Sequence, residues 1–125
     1  MRLFEFKGIS QSDLDQVEKY ADRIFAKLGI DVEFTKHFLQ RANDERNNRP
    51  ITTAELIRLF KQEYKKHGQK ISNLSPGAEA VMKDMDTDIN VPFKIVLNTN
   101  GELDLVAKTI LRKSDFKTSN REFTV

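Results

Sequence analysis

Few residues in this chain have side chains suited to catalysis, and most of those are basic. His37 and Arg41 stand four apart, Arg46 follows them, and Lys108, Thr109, Arg112 and Lys113 gather near the C-terminus with Lys94 ahead of them. Such a set suits cleavage of RNA without a metal. A base takes the 2′-hydroxyl proton, cations stabilise the charge growing on the phosphate, and an acid protonates the leaving oxygen. Histidine serves either proton-transfer role because its unperturbed pKa lies at about 6.5. Each residue also has an ordinary reading. A histidine at a helix rim bonds a neighbour, His67 beside a helix C-terminus complements the dipole, and Arg41, Glu45 and Arg46 form surface pairs. Lys108 and Arg112 serve equally as the solvated face of a strand that discourages edge pairing.

Other chemistries find no residues here. The chain has no cysteine and two histidines, which excludes disulfides, thiolate nucleophiles and cysteine-bound zinc, so neither metal nor cofactor is expected. It carries no glycine-rich phosphate loop, no GxSxG elbow and no HExxH helix. A 38% hydrophobic and 32% charged composition over 125 residues predicts one globular domain, residues 1–125. No apolar run approaches the roughly 18 residues of a membrane span, and MRLFEFKG lacks a secretory h-region. The mature protein is therefore expected to begin at Met1, with no membrane contact and in the cytoplasm. The net charge of +2 does not itself point to nucleic acid. The local clustering does: Asp84, Asp86 and Asp88 bunch in one stretch, while Lys108, Arg112, Lys113 and Lys117 crowd the C-terminal part.

The elements that must position these residues are legible from periodicity. Leu3, Phe4 and Phe6 form a short apolar segment, an edge strand or a tether, ended by Gly8. From Ser12, Leu14, Val17, Ala21, Ile24, Phe25 and Leu28 recur at helical spacing, and Gly29 sits where a left-handed residue closes a helix. Ile30 to Phe34 reads as an extended link. Thr35 then caps a second helix with Phe34, Phe38, Leu39 and Ala42 inward and His37 and Arg41 side by side at its rim. Asn43, Asn47, Asn48 and Pro50 break it. Thr52 and Glu55 have capping-box spacing, and Ile51 with Leu56 the spacing of a hydrophobic staple, so a third helix starts there and is expected to stop at His67 and Gly68.

Beyond Gly68 the period becomes extended. Ser75, Pro76 and Gly77 mark a turn, Ala80 to Lys83 a strand, and Asp84 to Asn90 neither element. Phe93, Ile95 and Leu97 alternate with polar or smaller residues, a turn follows at Asn98 to Gly101, and Leu103 to Lys113 reads as a longer second hairpin strand. On it Leu105, Ala107, Thr109 and Leu111 share one face, and Val106, Lys108, Ile110 and Arg112 the other. The tail after Phe116 reads as loosely held. The expected class is α+β, with N-terminal helices packed on one face of a C-terminal antiparallel sheet.

The pattern His37-x-x-x-Arg41-x-x-x-Glu45-Arg46, then Ile51-Thr52-x-x-Glu55-Leu56 and a later hairpin, resembles small phage and toxin nucleases of the barnase, EndoU, colicin and RelE-like group. The resemblance covers roughly residues 34 to 118. It implies helices before a twisted antiparallel sheet, with catalytic residues drawn from a helix and the open sheet face. Leu105 to Lys113 resembles the strand on which such nucleases place Lys, Thr or Arg. The chain departs from the group in having no His or Tyr after Arg112. Together, constellation and resemblance assign catalysis to His37, Lys108, Thr109 and Arg112, and substrate contacts to Arg41, Arg46, Lys94 and Lys113. The expected function is a metal-independent endoribonuclease or an inactive relative, with RNA as substrate and a protein partner or inhibitor as a further candidate. The alternative is a non-enzymatic α+β module whose basic strand docks nucleic acid or protein.

Overall fold

The computed structural model describes residues 8–125. The short apolar segment at Leu3, Phe4 and Phe6 lies outside them. Helix α1 (Gln11–Phe25) opens on a capping box at Ser10, whose hydroxyl accepts from the Asp13 N–H while the Asp13 carboxylate accepts from the Ser10 N–H. Leu14, Val17, Ala21 and Phe25 form its buried stripe, and a 3₁₀ turn, Ala26–Leu28, ends at Gly29 with φ 75°. The stripe and its closing glycine lie where the sequence puts them.

Ile30 to Phe34 is not a link but a strand, β1 (Ile30–Phe34), with Ile30 and Val32 buried. The short helix α2 (Phe38–Ala42) follows, then a 3₁₀ turn Glu45–Asn47 and the long helix α3 (Thr53–Ser72). The Glu55 N–H donates to Thr52 Oγ1 at 3.1 Å, the Thr52 N–H donates to Glu55 Oε1 at 2.9 Å, and Ile51 and Leu56 are both buried. Removing the hydroxyl strands the Glu55 N–H, so Thr52→Ala is expected to lower stability by about 1 kcal/mol. An unchanged urea midpoint would contradict this.

Helix α3 runs past His67 and Gly68, contrary to expectation. Gly68 is used for closeness: a Cβ there would lie 3.1 Å from Leu28 Cδ1, so its absence lets the end of α1 approach α3. Phe25 meets Phe60 and Tyr64 edge to face across the same interface, at 6.4 and 5.8 Å between ring centroids. His67 Nε2–H donates to Thr124 O at 2.9 Å, so this histidine anchors the last strand and does not sit at a helix end.

The sheet comprises β1, β2 (Glu79–Asp84), β3 (Ile89–Leu97), β4 (Leu103–Ala107), β5 (Leu111–Arg112) and β6 (Arg121–Thr124), in the order β1-β4-β3-β2-β6 with β5 beside β3. Its centre, β2-β3-β4, is antiparallel; the outer pairs β1-β4 and β2-β6 are parallel. The stretch Asp84 to Asn90 contributes to strands at both ends and turns only between them. Helices α1 and α3 cover one face, where Met82, Val91, Phe93, Ile95 and Leu105 meet Phe25, Leu56 and Phe60 in the core. The architecture is therefore α+β.

The tail is held rather than loose. Strand β5 flanks β3 on one side while β6 lies beyond β2, so residues 113–120 must cross the sheet. Lys83, whose side chain alternates with the core-facing Met82, donates to Phe116 O at 3.5 Å, which puts the crossing on the face opposite the helices. Phe123 is buried against Phe93, and Val125 N–H donates to Lys83 O at 2.8 Å.

At the β1 edge, the Val32 and Phe34 N–H groups donate to the Asp22 and Glu18 carboxylates of α1, so helix side chains close this edge to further pairing. Burial pushes both carboxyls above their ordinary range. Glu63 of α3 is more extreme. It is fully buried, and burial, opposed by the Lys83 backbone and reinforced by Asp84, raises its pKa from 4.5 to about 9. The folded state thus holds a proton that the unfolded chain releases. Stability from this site is present below pH 4.5 and is lost as pH rises towards 9, by at most about 1.4 kcal/mol per pH unit. Glu63→Gln, neutral throughout, is expected to flatten the fall in urea midpoint between pH 5 and pH 8; an identical fall in the variant would show that Glu63 is not its source.

Candidate functional site

One wall of the site is built where β1 passes into α2. The Thr35 N–H donates to Ala107 O at 3.2 Å and the Thr35 hydroxyl to Lys108 O at 2.8 Å, so Thr35 does not cap α2; it pins the chain to the end of β4. Phe34 stacks on Phe38 with centroids 4.4 Å apart. Helix α2 is only five residues long, with His37 as its N-cap and Arg41 one turn on, where the Arg41 N–H donates to His37 O at 2.9 Å. Both side chains are exposed. Asp44 then caps the 3₁₀ turn by accepting from the Arg46 N–H at 2.8 Å and from Arg46 Nε at 3.3 Å. The Arg46 N–H, and after it the guanidinium, hold the Asp44 carboxyl below its ordinary range.

The opposite wall is the bend between β4 and β5, where the expected single long strand is interrupted. Pairing runs from Phe93↔Ala107 to Asn90↔Leu111, so three steps along β3 answer four on its partner. The extra residue lies opposite Val91-Pro92, where proline has no N–H to offer the ladder. A one-residue insertion reverses the facing of everything beyond it. Leu105 and Ala107 point to the core before the bulge; after it Ile110 and Arg112 are buried, while Leu111 is only half-buried.

His37, Arg41 and Arg46 from the first wall and Lys108 and Thr109 from the second line one cavity of about 380 Å³, floored by Ile110 and Leu111. An adjoining cavity of about 510 Å³ shares Arg41, Arg46, Ile110 and Leu111 and adds Lys113 and Ser114, together with the carboxylates Asp44, Asp88 and Asp115. Residues separated by some seventy positions are thereby brought to one cleft. Lys108 Nζ meets Glu79 Oε1 at 2.8 Å, an ion pair with both side chains more than two-fifths exposed. Such pairs contribute about 0–1 kcal/mol, so a phosphate in the cleft can compete for the ammonium.

Two expected site residues stand elsewhere. Lys94 lies on β3 with Glu79 beside it on β2 and Val106 on β4, and it lines neither cavity. Arg112 borders the second cavity, but its side chain is only 5% exposed and is committed to the fold. Its Nη1 donates to Glu55 Oε2 at 3.1 Å and Thr87 O at 2.8 Å, and its Nη2 to Glu55 Oε1 at 3.0 Å and Pro50 O at 2.9 Å. Burial pushes the Glu55 carboxyl up, but the Arg112 hydrogen bonds and the Thr52 N–H outweigh it and hold it below its ordinary range. The bulge turns Arg112 inward, so its guanidinium joins β5 to the start of α3 and does not face the cleft as the open-strand reading expects.

Periodicity gives no sign of Glu79 or Asn47. Glu79 becomes the partner of Lys108 only through sheet register. Asn47 reads as a helix breaker but is 2% exposed, with its amide fully used. Among the described residues no helix is long and apolar enough to cross a membrane. No family model matches the chain, and neither a curated protein nor a solved structure matches it.

Proposed function

We propose that the chain is a metal-independent endoribonuclease acting in the cleft between α2 and the β4–β5 bend. The observation that carries this reading is the convergence of exposed His37 with Arg41, Arg46, Lys108 and Thr109 on one cavity. His37 takes the proton of a ribose 2′-hydroxyl, and the freed oxygen attacks the adjacent phosphorus. The bond to the 5′-oxygen breaks, leaving a 2′,3′-cyclic phosphate on one product. Arg41 and Arg46 stabilise the charge growing on the phosphate oxygens. The leaving oxygen takes its proton from the opposite wall, where Lys108 is the available donor once the substrate phosphate draws it from Glu79.

A second reading, an RNA-binding module without cleavage, draws support from two observations. Arg112 is committed to Glu55, and Lys108, the cation that the β4–β5 bend brings to the smaller cavity, already has a carboxylate partner. Both readings require phosphate contacts at Arg41 and Arg46. Each phosphate lost should reduce the slope of log affinity against log salt by about 0.7 for a single strand. Titrating single-stranded RNA into wild type and Arg46→Ala at several salt concentrations, with EDTA present, tests the shared requirement. A slope unchanged by Arg46→Ala would remove both readings; intact RNA after incubation with wild type would leave the second.

A further inference from the structure

The two walls of the cleft are fastened at both ends. Thr35 pins the near end, where α2 begins. At the far end the Asn47 side chain does the same from the opposite direction. Its Nδ2 donates to Arg41 O at 2.8 Å and Ala42 O at 3.1 Å, two carbonyls at the C-terminus of α2, the first of which also accepts from the Asp44 N–H at 3.2 Å. Its Oδ1 accepts from the Arg112 N–H of β5 at 2.9 Å. One buried amide therefore bridges the residue that carries the Arg41 side chain and the strand that continues from Thr109 into Lys113. The Arg112–Glu55 pair cannot substitute for it, because that pair ties β5 to α3 and leaves α2 free.

We propose that Asn47 is a positioning residue that fixes the separation of the cleft walls and holds Arg41 and Arg46 in register with Thr109 and Lys113. Its consequence for RNA rests on the function proposed above; the fastening itself does not. Aspartate at this position keeps an acceptor for the Arg112 N–H and loses both donors to α2. Alanine loses all three bonds.

The fastening is read by amide hydrogen exchange on the RNA-free protein. Asn47→Ala is expected to speed exchange in residues 38–48 and 111–113 together while the central strands β2 and β3 keep their protection. Asn47→Asp is expected to speed it in 38–44 only, and it also serves if the alanine variant fails to fold. A uniform rise across the sheet, or none, would make Asn47 a residue of general stability or of no consequence, and overturns the proposal. The consequence for the site is read by a double-mutant cycle on the affinity of a fluorescent single-stranded oligoribonucleotide. Asn47→Ala should weaken binding about tenfold in wild type and have a clearly smaller further effect in an Arg41→Ala background, since one of the two side chains it positions is already gone. Additive losses would mean that Asn47 does not act through Arg41. If wild type binds no RNA, the proposed function fails, and hydrogen exchange alone decides the fastening.

Discussion

His37→Ala is expected to lower RNA cleavage by roughly 10²- to 10⁴-fold, the usual contribution of one proton-transfer group, while leaving the melting temperature nearly unchanged. The second half of that expectation comes from where the side chain stands. His37 is exposed at the start of α2, and it is the backbone of His37 that bonds Arg41, so alanine keeps that hydrogen bond. The stacked Phe34 and Phe38 and the Thr35 bonds to Ala107 and Lys108 hold the turn without the imidazole. Steady-state cleavage rates and thermal melts on the same preparation check both halves. Unfolding without a specific loss of activity would make His37 structural.

Arg112→Ala has the opposite profile. Its loss leaves Glu55 ionised in a partly buried position and strips donors from Thr87 O and Pro50 O, and breaking a buried pair of this kind costs about 3–5 kcal/mol. A protein of this size has total stability of about 5–15 kcal/mol, so the variant is expected to be largely destabilised in urea titrations. A normal urea midpoint accompanied by lost activity would return Arg112 to the catalytic set. The pair of variants therefore separates the cleft from the framework beneath it.

The contrast between these two residues shows how far the sequence is readable. Local signals are strong: the α1 stripe, the Ser75-Pro76-Gly77 turn, the Thr52–Glu55 box and the Phe93 to Leu105 hairpin all rest on neighbours within a few positions. The convergence of His37, Arg41 and Arg46 with Lys108 and Thr109 also follows the order in which the sequence presents them. What fails depends on distant partners. Ile30 to Phe34 is a strand because β4 pairs with it, and the polar tail is a strand because Phe123 finds the core between His67 and Phe93. Gly68 reads as a stop because its close contact, Leu28, lies on another helix. The inversion at Arg112 stems from one extra residue opposite Pro92. That proline is the one local hint that a regular ladder could not continue.

The carboxylates in the second cavity narrow what the site can accept. Asp44, Asp88 and Asp115 repel a continuous run of phosphates, whereas Arg41 and Arg46 at the junction with the first cavity attract one. In the proposed reaction the scissile phosphate therefore belongs at the junction, beside the smaller cavity that His37 and Lys108 line.

The most direct measurement is the end chemistry of the product. Purified protein is incubated in EDTA with a single-stranded RNA oligonucleotide and with its 2′-deoxy counterpart, and the fragments are resolved by mass. Fragments ending in 2′,3′-cyclic phosphate are expected from the RNA and none from the deoxy strand, because the 2′-oxygen is the nucleophile in the proposed reaction. Uncut RNA, or equal cutting of both strands, would contradict it.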